Sequence, residues 1–286
     1  MKINNSNGRV DLHVHTYFSD GVLSPEEVVE KALEKGLRAI SITDHDSVEG
    51  VSPAITAAND THIDIVPGIE ISASFNKKKE VHILGYFVDW EDEDLGKALA
   101  HMRDKRIERI EKMLELLRRQ GMQITREEVL ALSPHGTVGR LQLARMLVEK
   151  GLVKDLRTVF DRYIGNGKPC HVGHEYLYYG DAIDMIKNAG GVPVLAHPGT
   201  MKSDDEIPLF VEAGIRGIEA YHTKHWPSTS NKYTEIAERY GLLVTGGSDC
   251  HGLPEDDMLM GKVYVGYETV AELKEESRRI RNEKTS

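Results

Sequence analysis

The sequence predicts an α/β fold in which an open or distorted barrel is interrupted by an all-helical segment. Short β-like runs alternate with helical ones towards both ends of the chain, while a middle stretch reads as helix throughout. Histidines and carboxylates stand at or just past the ends of the β-like runs, and α/β barrels place their chemistry at the carboxyl ends of strands. A chain of 286 residues is long enough for one large domain or for a domain that carries an insertion.

The first third of the chain alternates strand and helix. After the first β-like run, Ser24 and Glu27 form a capping box with Pro25 at the first helical position. We count six or seven strand–helix units in the whole chain, fewer than the eight of a regular barrel. The β-like runs of this part lie at 9–13, 39–42, 63–66 and 81–88.

The middle of the chain is predicted to be a separate helical domain. This block lies between segments that carry histidines and carboxylates, as an insertion would, and a strand–helix rhythm resumes after it. We therefore assign residues 1–97 and 169–286 to one discontinuous barrel domain and residues 98–168 to a helical insertion or cap. The predicted helices of the block lie at 95–120 and near 125–132, 139–150 and 155–163.

Charge is distributed unevenly along the chain. The net charge is −10, which argues against stable binding to duplex nucleic acid, yet residues 98–170 hold 15 basic and 9 acidic residues. Carboxylate clusters suit divalent metals, and a basic segment suits an anionic substrate. We expect the basic residues of the long helix, among them Arg103, Arg106, Arg109 and Lys112, to form mostly a solvated face.

Composition also indicates the cellular setting. The N-terminus has no apolar signal segment, and no apolar run reaches the roughly 20 residues of a membrane-spanning helix. Two cysteines, Cys170 and Cys250, are too few for a disulfide framework. We therefore expect a cytoplasmic protein without membrane contact, and the sequence does not indicate its oligomeric state.

The segment His13-Val14-His15 is the strongest single indication of chemistry. Side chains two residues apart on a strand point to the same side, so both imidazoles could bind one metal ion. One His-x-His is weak by itself, but further histidines and carboxylates recur at the ends of β-like runs. These additional candidates are Asp20, Asp44, His45, Asp46, Glu70, His82, His197, Asp249 and His251.

These segments together closely resemble the polymerase and histidinol phosphatase (PHP) family of metal-dependent phosphoesterases. Five motifs occur in the expected order: the His-Val-His segment with Asp20, and the segments at 43–46, 67–70, 196–198 and 247–252. The resemblance implies a distorted (β/α)7 barrel. The helical insertion and the pair Gly261-Lys262 resemble the standalone members that cleave 3′,5′-bisphosphonucleotides and trim short RNA from its 5′ end.

The resemblance also implies a trinuclear metal centre. Imidazole and carboxylate ligands suit Mn, Fe or Zn, and the ligand types do not choose among them. In many relatives a histidine stands at the position of Asp20, which makes the third site here richer in oxygen. Asp44 could bind metal, but we favour a role behind the ligands for Asp44 and Asp46. The implied ligand sets are His13, His15, Glu70 and Asp249; Glu70, His82 and His197, with Glu70 bridging; and Asp20, His45 and His251.

The implied reaction is phosphoester hydrolysis by a metal-bridging hydroxide, with His13, His15 and Glu70 as catalytic ligands. No side-chain nucleophile is needed, and the chain has no P-loop motif. A bisphosphonucleotide or short 5′-phosphorylated oligonucleotide needs cations for its second phosphate. Arg140 opens a predicted helix of the insertion, where a helix N-terminus and a guanidinium suit phosphate. His225 is a candidate phosphate contact or leaving-group acid, and His222 and Lys168 are further candidates for substrate binding.

Three other functions are compatible with the same residues. A phosphatase of a small metabolite such as histidinol phosphate would use the same barrel. A C–N hydrolase of the amidohydrolase type also begins with His-x-His, but its metals are usually bridged by a carbamylated lysine, a place that Glu70 takes here. A non-catalytic metal-binding module would bind metal tightly and hydrolyse no phosphoester.

Overall fold

The computed structural model of the protein describes residues 8–75, 80–131, 138–173, 177–201, 203–253 and 259–284. These residues form nine β-strands and ten α-helices, which confirms the predicted α/β class. None of the described helices is both long enough and apolar enough to span a bilayer. The strands are β1 Arg9–Val14, β2 Ala39–Ile42, β3 Asp64–Ser74, β4 Glu80–Tyr86, β5 Leu177–Tyr178, β6 Val192–Leu195, β7 Gly217–His222, β8 Leu243–Gly247 and β9 Val265–Gly266.

The helices pack mainly outside the sheet or form the inserted block. Helix α1 begins as predicted: the Glu27 backbone N–H donates to Ser24 Oγ at 3.2 Å, and the Ser24 N–H donates to the Glu27 carboxylate at 2.7 Å. The helices are α1 Pro25–Glu34, α2 Val51–Ala58, α3 Glu93–Arg119, α4 Arg126–Ala131, α5 Arg140–Glu149, α6 Leu156–Val159, α7 Tyr179–Asn188, α8 Ile207–Glu212, α9 Pro227–Tyr240 and α10 Glu268–Glu283.

The strands form one sheet that curls into a nearly closed barrel, as predicted. Its order is β8-β7-β6-β4-β3-β2-β1-β9, and the two-residue strand β5 pairs with β3. Strand β4 runs antiparallel to both of its neighbours, and β9 runs antiparallel to β1. The other pairs are parallel, so most strands deliver their carboxyl ends to the same rim.

The barrel closes between β1 and the segment after β8. The Asp249 N–H donates to the His13 carbonyl, and the His15 N–H donates to the Cys250 carbonyl, both at 2.9 Å. A Cβ on Gly247 would lie 2.4 Å from His13 Cβ, so only glycine permits this approach. The buried Asp11 carboxylate accepts from the Ser248 and Gly261 N–H groups at 2.8 and 2.9 Å. This seam places the loop after β8 against His13 and His15, at the end of β1.

Strand β3 is longer than the sequence predicted. The predicted run ended at 66, but β3 continues through Ser74 because it pairs with β4 from Gly68 onward. Pro67 does not interrupt the strand, since its carbonyl accepts from the Phe87 N–H at 2.7 Å. Glu70 therefore lies within β3, where it pairs with Leu84 of β4, rather than in a loop after the strand.

The insertion has a hydrophobic core of its own. The first part of α3 packs on the barrel through Leu95 and Leu99, and its second half joins a separate buried cluster that reaches to Cys170. Helices α4, α5 and α6 contribute to that cluster, and a π-helical turn at Phe160–Ile164 returns the chain towards the barrel. A separate core is typical of a distinct domain, and the division at 98–168 stays a prediction.

Candidate metal centre

The predicted metal ligands lie together at one rim of the barrel. They come from β1, β3 and β4 and from the segments after β1, β2, β6 and β8. Four sets of residues here could each hold a metal ion. Within each set, every residue offers one imidazole nitrogen or carboxylate oxygen, and these atoms lie within 4.8 Å of one another. The sets are His13, His15, Glu70 and Asp249; His15, Asp20, His45 and His251; His45, Glu70 and His82; and His13, Glu219 and His222.

The first set surrounds His13, in β1, and His15, directly after it. Alternation along the strand turns both imidazoles to one face, and their Nε2 atoms lie 3.2 Å apart. Glu70 Oε2 lies 3.3 Å from each Nε2, and Asp249 Oδ1 lies 3.5 Å from His13 and 3.3 Å from His15. Two buried imidazole nitrogens and two carboxylates thus converge on one point.

Glu70 joins this set to a second group of histidines. Its Oε1 lies 2.9 Å from both His82 Nδ1 and His197 Nε2, and its Oε2 lies 3.2 Å from His45 Nδ1. His82 stands opposite Ser72 in the β3–β4 pair, on the same face as Glu70. The Glu70 carboxylate is therefore positioned to bridge two ions.

The third set lies at the outer edge of the cluster. Asp20, on the loop after β1, places Oδ1 3.2 Å from His251 Nε2 and 3.8 Å from His15 Nδ1. Its Oδ2 lies 4.0 Å from His45 Nε2. These side chains are 17–21% exposed apart from the fully buried His15, so this set is the most open to solvent.

The chemistry of these donors fits divalent metal ions. Buried imidazole nitrogens face one another and carboxylate oxygens, an arrangement that shared cations stabilise. Among the described residues, Glu70 Oε2 and Asp20 Oδ1 are buried and accept no hydrogen bond. Lone pairs without hydrogen-bond donors are costly in a protein interior unless a cation compensates them.

The charges of the cluster depend strongly on one another. Burial opposes ionisation of Glu70, but the imidazoles of His45, His82 and His13 hold its pKa well below the usual value. Burial likewise opposes protonation of His15, yet Asp249, Glu70 and Asp20 raise its pKa to about 10. The pKa of His82 is also raised to about 10, against burial, by Glu70 and Glu80. Without metal, the His15 and His82 imidazoles therefore carry protons, and metal ions would displace these protons on binding.

Metal binding to the stripped protein should release protons, and apparent affinity for Mn²⁺ should fall as the pH falls. His15 and His82, with raised pKa values, are protonated below about pH 10 in the absence of metal, so each must lose a proton to become a ligand. Calorimetric titration at neutral pH, in two buffers of different ionisation enthalpy, measures the protons released. Equal apparent enthalpies in both buffers would contradict this protonation state.

Three site residues have a left-handed backbone conformation that is uncommon for residues other than glycine. Asp46, His197 and Asp249 have φ values of 51°, 25° and 56°. The neighbouring segments hold these conformations: the Asp46 N–H donates to the Glu70 carbonyl at 2.9 Å, and the His197 N–H donates to a carboxylate at 2.7 Å. Such backbone strain is concentrated at functional sites.

Sequence reasoning did not identify Glu219, which lies behind the cluster. Its Oε1 accepts from His13 Nδ1 at 2.9 Å, and its Oε2 accepts from the His197 N–H at 2.7 Å. Burial opposes its ionisation, but His13 and His222 hold its pKa below the usual value. The available signal was a carboxylate in the middle of the apolar strand β7, where a charge requires a partner.

Asp44 contacts the loop that follows β1. It accepts from the Thr16 N–H at 2.7 Å, from Thr16 Oγ1 at 2.6 Å and from Ser19 Oγ at 2.6 Å. Asp44 therefore fixes the loop that carries Asp20, and its role behind the ligands stays a prediction.

Asp46 connects the cluster to the insertion through Arg106. Asp46 Oδ1 accepts from the Ser72 N–H at 2.8 Å, while Oδ2 accepts from Arg106 Nε at 2.8 Å and also from Arg106 Nη2. Arg106 also donates to Ser72 Oγ at 2.7 Å. Arg109 is buried and donates to the Val172 carbonyl. The prediction of a solvated basic face was therefore wrong for Arg106 and Arg109, because this part of α3 crosses the rim of the barrel.

Arg140 lines a cavity of about 200 Å³ between the cluster and the insertion, which we call the arginine cavity. Arg140 is the first residue of α5, as predicted, and its guanidinium donates to Asn166 Oδ1 at 2.8 Å and lies 3.6 Å from the Glu80 carboxylate. The walls bring together three guanidinium groups and three predicted metal ligands. They include Arg106, Arg109, Arg140, Asp20, His45 and His82.

The remaining candidates for substrate binding differ in position. Lys168 is exposed and is not among the residues that line the arginine cavity. His222 is buried, with Nε2 3.3 Å from Asp249 Oδ2. His225 has both ring nitrogens bound to main-chain atoms: Nδ1 donates to the Ala220 carbonyl at 2.9 Å, and Nε2 accepts from the Gly199 N–H at 3.1 Å.

Lys224 was not predicted and contacts one of the carboxylates of the cluster. Its Nζ is 3.0 Å from Asp249 Oδ2, and the side chain is 64% exposed. Partial burial opposes its charge, but Asp249 raises the pKa of the ammonium above the usual value. A protonated amine at the open edge of a metal cluster can bind an oxyanion.

Comparison with known families identifies one matching model, described as the PHP domain, over residues 11–169. The solved structure of a protein from Bifidobacterium adolescentis, named as a metal-dependent phosphoesterase, superposes with a TM-score of 0.83. It is 31% identical, and the match covers 92% of this chain and 94% of that one.

Three relatives match most of the chain. A 3′,5′-nucleoside bisphosphate phosphatase of Chromobacterium violaceum is 35% identical over 85% of this chain and 87% of its own length. A phosphoribosyl 1,2-cyclic phosphate 1,2-diphosphodiesterase of Eggerthella lenta is 34% identical, covering 85% and 94%. The 5′-3′ exoribonuclease Rnm of Escherichia coli is 31% identical, covering 84% of each chain. All three names describe hydrolysis of phosphate esters.

Proposed function

Because this chain belongs to the PHP domain family and is a metal-dependent phosphoesterase, we propose that it hydrolyses 3′,5′-bisphosphonucleotides and short 5′-phosphorylated oligonucleotides. The observation that carries the proposal is the arginine cavity, which places three guanidinium groups beside the metal-binding cluster. A substrate with one phosphate at the cluster would find counter-charges for a second phosphate in that cavity. A monophosphate would leave Arg140 without a phosphate to bind.

We assign three divalent ions, Mn, Fe or Zn, to the cluster. The first would be held by His13, His15, Glu70 and Asp249, the second by Glu70, His82 and His197, and the third by Asp20, His45 and His251. When bound, such ions activate water and neutralise charge on a phosphoryl group. The buried Glu70 carboxylate, with both oxygens among histidines, supports a shared ligand between the first two sites.

The residues around the cluster orient the ligands and the substrate. Glu219 holds the His13 imidazole through Nδ1, which keeps Nε2 directed at the cluster. Asp46 and Arg106 hold the turn that carries His45. Lys224, beside Asp249, is placed to bind a non-bridging oxygen or the oxygen of the leaving group.

Arg140 would bind the second phosphate together with the start of α5. The N-terminus of a helix favours anions, and the Arg140 guanidinium already lies in a polar setting with Asn166 and Glu80. The same cavity wall contains Arg109, which is held in place by the Val172 carbonyl. We assign no proton transfer to His225, since its two ring nitrogens are engaged by the main chain.

The test is phosphate release from adenosine 3′,5′-bisphosphate by metal-stripped protein after addition of Mn²⁺, Fe²⁺ or Zn²⁺. Histidinol phosphate and a ribosyl 1,2-cyclic phosphate are assayed in parallel. Turnover of the bisphosphate with the highest kcat/KM supports the proposal and identifies a working metal. A higher kcat/KM for either other substrate would overturn the substrate assignment, and hydrolysis of none would contradict it.

Replacing Arg140 by Ala should raise KM for the bisphosphate about tenfold or more, because the second phosphate loses a charge-assisted hydrogen bond. KM for an aryl monophosphate should change little, since that substrate has no group for the arginine cavity. Steady-state kinetics on both substrates measures the difference. Arg157→Ala is the matched control, because Arg157 is 91% exposed on α6. Equal effects of Arg140→Ala on both substrates would remove Arg140 from substrate recognition.

A further inference from the structure

A second cavity, of about 330 Å³, opens between the start of α9 and the segment before β9. We call it the tyrosine cavity. Its walls combine two phenol rings with an amide, two imidazoles and an ammonium group. These groups belong to Tyr221, His222, His225, Asn231, Lys262 and Tyr264.

The tyrosine cavity borders a different end of the metal-binding cluster from the arginine cavity. The two cavities share no lining residue. The arginine cavity meets the cluster at Asp20, His45 and His82. The tyrosine cavity meets it through His222, whose Nε2 lies 3.3 Å from Asp249 Oδ2, and Lys224 contacts the same oxygen at 3.0 Å. The cluster therefore lies between two cavities, and a chain held at the cluster could extend into both.

The groups that line the tyrosine cavity suit a nucleotide. The Tyr221 and Tyr264 rings are half-buried in the wall, and the Arg9 guanidinium lies 5.5 Å from the Tyr264 ring centroid, so a base would stack on what these rings leave exposed. The exposed Asn231 amide can pair with a base edge. Lys262 is exposed and forms no ion pair with any described residue, so its charge is available to a phosphate.

Trp226 adds an aromatic surface at this position. It is the N-cap of α9, stands between the lining residues His225 and Pro227, and is 79% exposed. No other large hydrophobic side chain of the described residues is as exposed, the next being Tyr178 at 50%. An exposed indole beside a cationic cavity is typical of surfaces on which single-stranded nucleic acid stacks.

We propose that the tyrosine cavity binds the nucleotide on the 3′ side of the scissile phosphodiester in a 5′-phosphorylated oligoribonucleotide. This proposal rests on the proposed function. Water breaks the bond from phosphorus to O3′ of the 5′-terminal nucleotide, which leaves as a nucleoside 5′-monophosphate, and the remaining strand keeps the attacked phosphate. With the 5′-terminal phosphate in the arginine cavity and the scissile phosphodiester at the cluster, that remaining strand must extend to the other side. The tyrosine cavity lies at that side and carries the stacking and cationic groups that a strand requires. A mononucleotide bisphosphate has no atoms to place there.

The test compares Lys262→Ala and Trp226→Ala on two substrates, adenosine 3′,5′-bisphosphate and a 5′-phosphorylated RNA pentamer. The readout is the ratio of kcat/KM for the pentamer to that for the bisphosphate. Each variant should lower this ratio about tenfold. Lys262→Ala should also weaken the dependence of pentamer kcat/KM on salt, because one phosphate contact is lost. Lys262→Arg and Trp226→Phe should restore most of the ratio, since charge and ring are kept.

The controls are an exposed lysine and an exposed tyrosine elsewhere on the surface. Lys274→Ala on α10 and Tyr240→Ala at the far end of α9 should leave the ratio unchanged. Equal losses on both substrates in the cavity variants, or an unchanged ratio, would overturn the proposal. Absence of bisphosphate hydrolysis by the unmodified protein would instead contradict the proposed function, so the two failures are distinguishable. Loss of self-association in Trp226→Ala with an unchanged ratio would assign the indole to a protein interface and overturn its role in RNA binding.

Discussion

Replacing Glu70 by Gln should lower turnover by more than the 10- to 100-fold that loss of an outer hydrogen-bond partner of a metal ligand typically costs. Among the described residues, only Glu70 has carboxylate oxygens that contact histidines of both the first and the second proposed site. Gln keeps the shape of the side chain but removes a buried negative charge, and its amide N–H₂ cannot bind metal. Both sites should lose affinity together.

Three measurements on Glu70→Gln separate a metal role from a structural one. Metal content per chain should fall, kcat for the bisphosphate should fall, and the far-ultraviolet circular dichroism should stay as in the unmodified protein. Glu212→Gln, a change of an exposed carboxylate on α8, is the matched control and should alter none of these quantities. A Glu70→Gln protein with full metal content and at least half of the normal kcat would refute the proposed ligand set.

Replacing Glu219 by Gln should lower metal affinity and kcat/KM by about 10- to 100-fold. The Glu219 carboxylate accepts from His13 Nδ1, and so fixes the ring orientation and tautomer that present Nε2 to the cluster. A glutamine can still accept the His197 N–H through its amide oxygen, so the fold should persist. The lost charge makes His13 a weaker ligand, because the imidazole is no longer polarised by a carboxylate.

The activity that Glu219→Gln regains in excess metal shows whether Glu219 orients the ligand His13 or binds metal itself. If Glu219 acts through His13, saturating Mn²⁺ should restore a large part of the activity of Glu219→Gln, whereas Glu70→Gln should stay inactive. Glu276→Gln is the control, since Glu276 is partly buried on α10 and pairs with Arg216 away from the cluster. Failure of saturating metal to restore any activity would contradict a role through His13.

The metal-binding cluster could be predicted from the sequence because its geometry is largely local. Two histidines two residues apart on a strand must share a face, and residues at the carboxyl ends of parallel strands must share a rim. The barrel and the helical insertion follow from the same periodicities. His13, His15 and Glu70 could therefore be assigned to one site before any coordinates were known, and the structure places them together.

The hydrogen bonds that orient the predicted ligands could not be predicted, because their partners are distant in the sequence. Glu219 contacts His13 across 206 residues, and Arg106 contacts Asp46 across 60. A periodicity argument assigns Arg106 to the solvated face of α3, since it cannot show that the helix crosses the barrel rim at that turn. The length of β3 was underestimated for a related reason: its continuation past Pro67 depends on pairing with β4.

The long helix α3 is a rigid spacer rather than a hinged cover. It runs for 27 residues, about 40 Å, contains no proline, and has its one glycine, Gly96, in the first turn. Its start packs on the barrel, its end forms the core of the insertion, and Arg106 joins its middle to Asp46. In many enzymes with a mobile lid, the opening of that lid or the release of product limits kcat. If the chain hydrolyses bisphosphonucleotides as proposed, α3 holds Arg106 and Arg109 at a fixed distance from the metal cluster, and substrates would be selected by the spacing of their phosphates.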